Sequence, residues 1–288
     1  MPCGQPKYKL LIPHPMLYWW RMSTPAQSSQ RGFQEPKYVD DPQDCLWYHT
    51  TELPGLGLQM GHWDLRNDVD RYLGNVDFRG KRVIDVGTAS GYLAFEMEKR
   101  GAEVIAFDRL MTDGSDDAGL VPFHDYVERF GETIDDTVKK HFEMQRRMQN
   151  SFWLAHRLRN SKVKYYCANA YDNIRDIGEV DYVFYGCVLL HLRDPLLALS
   201  RFAPLAREKL IITEMHENIG PYGEGTVMFL RPNIKEPQNT GTWWYMTPAL
   251  LERYLEILGF RKFDLSKHKG TYAATGKNAD LFTLVASR

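Results

Sequence analysis

The sequence predicts an α/β protein of the doubly wound kind, in which a mostly parallel sheet carries helices on both faces. From residue 81 onward, short apolar runs alternate with segments of helical period, which is the pattern of this fold class. The first run enters a helix through a turn of small residues, and two later helices begin with a capping residue followed by proline. A chain of 288 residues has room for one large domain or two small ones.

The elements follow in a regular order. The first unit combines a strand at Arg82–Val86, a turn at Gly87–Gly91, a helix at Tyr92–Arg100 and a strand at Glu103–Phe107. A unit of this length requires a right-handed crossover and a parallel strand pair. Further strands are expected at Val163–Cys167, Val180–Tyr185, Lys209–Thr213 and Leu281–Ala286. Helices are expected to begin at Asp194-Pro195 and at Thr247-Pro248, because an N-cap residue followed by proline is typical of a helix start.

Two regions interrupt the alternation. Residues 1–46 are rich in Pro, Gln, Ser and Tyr, which predicts an irregular arm. The stretch from about 109 to 161 is too long for a simple return and is expected to insert one or two helices. Its Met144, Met148 and Phe152 recur at a spacing of four, which fits a helix packed on the core, a lid over the ligand site, or both. We therefore expect an extension over 1–66 and a domain over 67–288.

Composition excludes several classes of protein. The 36 Lys and Arg residues against 37 Asp and Glu give a net charge of −1, so the chain as a whole has no field that attracts nucleic-acid phosphates. No apolar run reaches the ~18 residues of a membrane span, and no secretory signal is recognisable, so a cytoplasmic location is expected. The four cysteines lack CxxC spacing and the nine histidines lack an HExxH pattern. Reduced thiols and no bound metal are expected.

The turn after the first strand is the most specific signal. It reads Gly87-Thr88-Ala89-Ser90-Gly91, where a dinucleotide-binding turn would read G-x-G-x-x-G. Glycines allow close backbone approach, and the following helix N-terminus offers free N–H groups. Asp85, two residues before the turn, would repel a pyrophosphate but suits a ligand with an ammonium and a sulfonium group. Asp108, at the end of the second strand, is placed to accept hydrogen bonds from a ribose diol.

These residues resemble a known family. The resemblance to class I S-adenosylmethionine (SAM)-dependent methyltransferases covers roughly residues 80–286, in the segments Asp85–Gly91, Val104–Asp108, Asn169–Asp172 and Asp181–Pro195. It implies a Rossmann-like, mostly parallel, seven-stranded sheet with SAM as cofactor. A narrower resemblance, to the group of the tRNA wobble-uridine 5-oxyacetyl methyltransferases, is carried by Trp47–Thr50, Gly61–Arg66 and Leu190–Pro195. Many relatives with that layout are not tRNA enzymes. The N-terminal block is therefore expected to belong to the site.

The resemblance also implies roles for individual residues. The expected cofactor contacts are Asp85, Gly87, Thr88, Ala89 and Gly91 at the turn, Asp108 and Arg109 near the ribose, Asn169, Ala170 and Tyr171 at the adenine, and Gly186 and Cys187 beneath the ligand. Tyr48 and Trp63, with Trp47, are aromatic candidates for enclosing the sulfonium, or they pack the arm. Arg66 either pairs with the methionine carboxylate or is a surface arginine.

Methyl transfer from a sulfonium is an in-line displacement that needs an electron-rich O, N or S atom opposite the sulfur. If that atom carries a proton, a base helps. The candidate catalytic residues are His191, Glu214 and His216, which follow the fourth and fifth expected strands. His49, Trp243, Trp244 and Tyr245 are candidates for substrate binding. His191 could instead be a structural or cofactor-contacting histidine, Glu214 and His216 could be polar loop residues, and the aromatic residues could be packing.

A small-molecule acceptor is the leading hypothesis, since it fits the near-neutral charge and the aromatic candidates. The first alternative is tRNA modification, because residues 139–162 hold seven Lys and Arg against one Glu. Such a patch suits phosphates, although a solvated helix face explains it equally well and no appended RNA-binding motif is present. The second alternative is a SAM-binding protein without catalysis, since function lies in the site and not in the fold.

Overall fold

A computed structural model describes residues 31–109, 134–232 and 242–288. The strands are β1 Gly32–Gln34, β2 Thr51–Leu53, β3 Gly57–Gln59, β4 Trp63–Asp64, β5 Arg82–Val86, β6 Glu103–Asp108, β7 Lys164–Cys167, β8 Val180–Gly186, β9 Ala206–Met215, β10 Met228–Leu230, β11 Trp244–Met246, β12 Lys262–Tyr272 and β13 Asn278–Ser287. The α-helices are α1 Val69–Tyr72, α2 Tyr92–Lys99, α3 Ile134–Arg159, α4 Pro195–Phe202 and α5 Pro248–Ile257.

One sheet organises the described residues. Its strand order is β1-β7-β6-β5-β8-β9-β13-β12-β4. Strands β7, β6, β5, β8 and β9 pair in parallel, whereas β13 runs antiparallel to both of its neighbours. The predicted mostly parallel α/β sheet is confirmed. The seven-stranded core is extended by two short edge strands, β1 and β4, which lie in the N-terminal extension and are too short to show an alternating pattern.

Strand β12 is the one core strand that the sequence did not reveal. Most of its side chains are at least partly exposed, and it carries Lys262, Lys267 and Lys269. A strand is recognised from sequence by the apolar residues that it buries. Because β12 lies next to the sheet edge, where little covers it, it has no such pattern. Strand β13 beside it is apolar, and Leu281–Ala286 was predicted correctly within its longer observed span.

Helices cover both faces of the sheet. On one face, α4 and α5 pack through Leu199, Phe202, Leu251 and Leu255, all of which are fully buried. The start of α4 has Asp194 Oδ1 accepting the Leu197 N–H at 2.9 Å, and Thr247 accepts the Leu250 N–H at the start of α5. Both predicted proline-led helix starts are therefore confirmed. The other face holds α1, α2 and part of α3.

The second half of α3 is a core helix. Phe152 is fully buried and its ring lies 5.2 Å from Phe95 and 4.6 Å from Tyr165, measured between centroids. Met148 is also buried, whereas Met144, which begins the predicted face, is 38% exposed. The packing interpretation therefore describes this half of the insertion. The predicted lid residues 110–133 lie outside the described residues.

The basic side chains of α3 hold the N-terminal arm. Arg147 donates to the carbonyl oxygens of Gln43 and Cys45 at 3.0 and 2.9 Å. Arg157 donates to the Val39 carbonyl at 3.0 Å. Arg159 donates to Thr51 Oγ1 and to the Glu52 carbonyl, both at 2.8 Å. Of the seven basic residues in 139–162, Arg147 and Arg157 bind the arm, Arg159 binds β2 of the N-terminal extension, and Arg146 pairs with Glu143 at 2.7 Å. The local positive charge thus has a structural use.

Within the ranges that the structure describes, no helix is long and apolar enough to cross a membrane. The same ranges contain no group of three or more His, Cys, Asp or Glu side chains that could hold a metal ion.

Candidate active site at the carboxyl ends of the strands

The turn between β5 and α2 needs its glycines. The φ angles of Gly87 and Gly91 are +74° and +86°, in the left-handed region that favours glycine. A Cβ on Gly87 would lie 2.5 Å from Val188 Cγ2, and one on Gly91 would lie 2.5 Å from Phe152 Cδ2. The Gly87 N–H also donates to the Phe107 carbonyl at 2.8 Å. The turn is therefore clamped between β6, α3 and the loop after β8.

Two carboxyl groups flank this turn. Asp85 is 1% exposed, and its Oδ2 has no hydrogen-bond partner. Burial, together with the negative charge of Asp108, raises the pKa of Asp85 to about 7. Asp108 accepts N–H groups from Ala89 at 2.9 Å and from Arg109 at 2.8 Å, yet burial still raises its pKa. A buried carboxyl with a free oxygen is costly, so the site favours a ligand that brings hydrogen-bond donors or positive charge.

The predicted adenine loop follows β7, next to the end of β6. Asn169 Oδ1 accepts the Tyr171 N–H at 2.9 Å, and Ala170 is buried. The Tyr171 hydroxyl accepts the Asp194 N–H at 3.0 Å. This loop is consequently braced against the loop after β8, and both loops stand at the edge where Asp85 and Asp108 lie.

The loop after β8 joins the turn to the next strand. Cys187 has a φ of +53°, an uncommon conformation for a residue with a side chain, and its N–H donates to the Thr213 carbonyl at 2.7 Å. Burial raises the pKa of the Cys187 thiol. Gly186 packs so closely that a Cβ would lie 2.9 Å from Phe184 and 3.1 Å from Leu93. The backbone of Gly186 and Cys187 is therefore held in one conformation and packs closely against neighbouring side chains, which suits a surface on which a ligand rests.

Glu214, at the end of β9, anchors that loop. Its Oε1 accepts the N–H of Leu189 at 2.9 Å and that of Leu190 at 3.4 Å. The side chain is 3% exposed, and burial raises its pKa to about 8 despite these backbone hydrogen bonds. The carboxyl is therefore mostly protonated at pH 7. His191 lies in the same short helical turn, Leu189–His191, and is partly exposed.

The N-terminal block reaches this edge. The N–H groups of Tyr48 and His49 both point to Ser90 Oγ, at 3.1 and 3.5 Å. Burial raises the pKa of Tyr48 to about 12. Trp63 stacks on Tyr272 with ring centroids 4.0 Å apart, and Trp47 is partly buried against the core. Tyr48 is thus held beside the turn, and Trp63 is held beside the end of β12.

Two candidates of this block have other surroundings. His49 is 4% exposed, its ring lies 5.6 Å from that of Tyr92, and burial together with the neighbouring His62 lowers its pKa to about 3. It is a neutral, packed histidine. Arg66 forms a two-point pair with Asp64, at 2.9 and 2.8 Å, and lines an open groove on the α2 face. This favours the interpretation of Arg66 as a surface arginine.

A cavity of about 240 Å³ lies beside Glu214. Its walls come from five segments of the chain: Leu190, Glu214, Met215, Glu217, Arg231, Thr242, Trp244, Tyr245, Met246 and Tyr272. Trp244 and Tyr245, two of the predicted substrate-binding residues, line this cavity. Trp243 is buried instead, and its backbone N–H donates to the Leu190 carbonyl at 2.8 Å.

His191 and His216 do not line the cavity. The His216 ring lies 6.3 Å from Phe282, and burial and the charge of Lys267 lower its pKa. Tyr272, Arg231 and Glu217 are wall residues that the sequence did not indicate. Tyr272 belongs to the unpredicted strand β12, and the other two stand in loops without a motif.

No protein-family model matches the sequence. Solved structures resemble the fold. The N-terminal domain of EvdMO1, in the presence of SAH and D-fucose, is 18% identical with a TM-score of 0.49, over 84% of this chain and 91% of that one. Magnesium protoporphyrin IX methyltransferase from Synechocystis PCC 6803, with bound SAM, is 16% identical with a TM-score of 0.42, over 78% and 77%.

A third similar structure is the 1,6-didemethyltoxoflavin-N1-methyltransferase of Burkholderia thailandensis, with bound 1,6-didemethyltoxoflavin and S-adenosylhomocysteine. It is 14% identical with a TM-score of 0.44, over 76% of this chain and 74% of that one. At these identities a likeness concerns the fold, so the chemistry of this chain has to be argued from its own residues.

Proposed function

We propose that the protein is a SAM-dependent methyltransferase that acts on a small-molecule acceptor. The observation that carries the proposal is the pair of carboxyl groups, Asp85 and Asp108, at the ends of neighbouring parallel strands on either side of a glycine turn. Asp85 keeps a buried oxygen without a partner. An ammonium group would supply the missing donor and charge, and a ribose diol would supply donors to Asp108.

The chain offers a complete set of cofactor contacts along one edge. Asp85 and the turn would hold the methionine part, and Asp108 the ribose. Ala170 and Tyr171, with Asn169, would flank the adenine, while Gly186 and Cys187 would form the floor. Tyr48 and Trp63 are aromatic rings near this edge, and ring faces attract cations. When bound, SAM supplies a methyl group on a positively charged sulfur, which is an electrophile for an acceptor held in line.

The acceptor would occupy the cavity beside Glu214. Val188 touches the turn, and the next residues, Leu189 and Leu190, hydrogen-bond to Glu214. Leu190, which lines the cavity, is therefore only two residues along the chain from Val188, which contacts the cofactor turn. At about 240 Å³ it falls below the usual size of sites for drug-sized ligands, which suits a small acceptor. Glu214 is the titratable group best placed to hold or receive an acceptor's proton.

Neither alternative function receives the same support. Modification of tRNA was suggested by the basic residues of α3, but Arg147 and Arg157 bind the arm and Arg159 binds β2. A non-catalytic SAM-binding protein would not need a second cavity with a buried carboxyl group next to the cofactor turn.

The test is incubation of the purified protein with methyl-labelled SAM and with separated small-metabolite and RNA fractions of a cell extract. We expect label in the small-metabolite fraction. The Asp108→Ala variant serves as the inactive control, because it lacks the proposed ribose contact. Label confined to RNA would replace the small acceptor by tRNA, and tight SAM binding without label in any fraction would favour the non-catalytic protein.

A further inference from the structure

Aromatic and thioether side chains form a large part of the wall of the cavity beside Glu214. Three aromatic residues, Trp244, Tyr245 and Tyr272, line it together with two thioethers, Met215 and Met246. Tyr245 is fixed by its hydroxyl, which donates to the Glu217 carbonyl at 3.2 Å, and Trp244 by its Nε1–H, which donates to the Arg193 carbonyl at 2.9 Å. Rings held in one orientation favour a planar guest, and methionine adapts to the edges of such a guest.

The described walls carry no net charge at neutral pH. Arg231 and Glu217 neutralise each other at 2.8 Å. Glu214 is mostly protonated at pH 7, because burial raises its pKa to about 8. An anionic guest would lose its hydration and find no unpaired positive charge among these residues, and a cationic guest would have to ionise Glu214 against the burial that raises its pKa; both are costly. The cavity therefore favours an uncharged molecule.

Glu214 is the polar group that gives such a guest an orientation. Two backbone N–H groups fix its carboxyl, so its direction does not depend on the guest. A carboxyl group donates a hydrogen bond when it is protonated and only accepts when it is ionised. A hydroxyl group both donates and accepts, and so matches Glu214 in either state. An aromatic hydroxyl adds a ring that the three aromatic walls can cover.

We infer that the acceptor is an uncharged, planar aromatic compound whose hydroxyl group hydrogen-bonds to Glu214. This inference names the substrate of the proposed methyltransferase and in that sense rests on the proposed function. The binding of such a compound depends on the residues of the cavity and can be measured without SAM.

The test is calorimetric titration of the full chain, without SAM, with three probes: 2-naphthol, the anion 2-naphthoate, and 2-decalol, whose rings are not planar. We expect 2-naphthol to bind at least about tenfold more tightly than either of the others. Glu214→Gln keeps the size of the side chain but removes its titration, and Trp244→Leu removes one aromatic wall. Each should weaken 2-naphthol binding about tenfold. Glu208→Gln, at the other end of β9 and partly exposed, is the matched control and should leave it unchanged.

The outcomes separate the two proposals. Equal or tighter binding of 2-naphthoate, or 2-naphthol binding that neither variant weakens, would overturn the inference about the acceptor. Because Trp244→Leu could unfold the region, a thermal melt accompanies it, and Glu214→Gln carries the decision if that variant is unstable. S-adenosylhomocysteine is titrated in parallel. If it binds and 2-naphthol does not, the substrate class is wrong and the cofactor stands; the reverse result would overturn the cofactor and leave the cavity's preference intact.

Discussion

The proposed cofactor edge, formed by Asp85–Gly91 and Asp108, and the proposed acceptor cavity lie side by side but are built in different ways. The cofactor edge is dominated by one contiguous segment, Asp85–Gly91, and by Asp108 on the neighbouring strand. The cavity takes its walls from five segments, between Leu190 and Tyr272. Residues that act through the geometry of one backbone turn have to be close in sequence. Side chains that only line a cavity can come from distant parts of the chain, provided that the fold brings them to the same edge of the sheet. The first kind of site therefore leaves a motif in the sequence and the second does not.

The largest effect is expected at the turn itself. In Gly91→Ala, the added Cβ would lie 2.5 Å from Phe152, at a φ of +86°. Strain and overpacking together should lower the free energy of unfolding by about 3 kcal/mol. Gly276→Ala is the matched control, because its φ is also positive, +64°, but nothing lies within 4 Å, and a loss of about 1 kcal/mol is expected. Urea unfolding measures both. Equal losses would mean that the clamp on the turn contributes nothing.

The next largest effect distinguishes the two regions by the ligand that each one binds. Asp108→Ala removes the proposed acceptor for the ribose hydroxyls, and charge-assisted hydrogen bonds are strong. Affinity for S-adenosylhomocysteine should fall about 100-fold, while binding of 2-naphthol in the cavity should not change. The control is Glu103→Ala, at the opposite end of β6, where Glu103 pairs with Lys164. If both ligands lost affinity to the same extent, the two regions would form one cooperative site.

A smaller effect concerns the pH dependence of the cofactor edge. In the free protein the pKa of Asp85 is about 7, raised by burial, so the carboxylate form prevails only above pH 7. A ligand ammonium favours that form, and its binding should therefore strengthen as pH rises. From pH 6 to pH 8, the affinity for S-adenosylhomocysteine should increase about tenfold. Asp85→Asn should bind more weakly and lose this rise. A rise of the same size in Asp85→Asn would assign the titration to another group.

The same contrast explains what the sequence could predict. The alternation of strands and helices, the proline-led starts of α4 and α5 and the strands from β5 to β9 follow from burial patterns and caps, which are local. Strand β12 was missed because it buries few side chains, and Tyr272 was missed with it. The basic residues of α3 were compatible with either a solvated helix face or a surface for phosphates, because a sequence gives charge but not partners. The partners of Arg147, Arg157 and Arg159 are backbone carbonyls of the N-terminal extension, which the amino-acid composition cannot indicate.

The smallest expected effect tests whether the arm serves the cofactor edge. Arg147 donates to two carbonyl oxygens of the arm, a few residues before Tyr48 and His49, whose N–H groups point to Ser90 in the turn. Arg147→Ala should lower the free energy of unfolding by about 1 kcal/mol and speed proteolysis of the arm. The affinity for S-adenosylhomocysteine should fall about twofold, if about half of that free energy is transmitted to the turn.

The neighbouring Arg146→Ala is the matched control, because Arg146 forms only an exposed ion pair with Glu143, and such pairs contribute little. If Arg147→Ala showed faster proteolysis of the arm but unchanged cofactor affinity, the arm would only pack on α3 and would not contribute to cofactor binding. A loss of 2-naphthol binding instead of cofactor binding would attach the arm to the cavity, since Trp63 of the same extension stacks on the cavity residue Tyr272. The N-terminal extension contacts both regions, through Ser90 of the turn and through Tyr272 of the cavity, so this variant decides which of the two the arm serves.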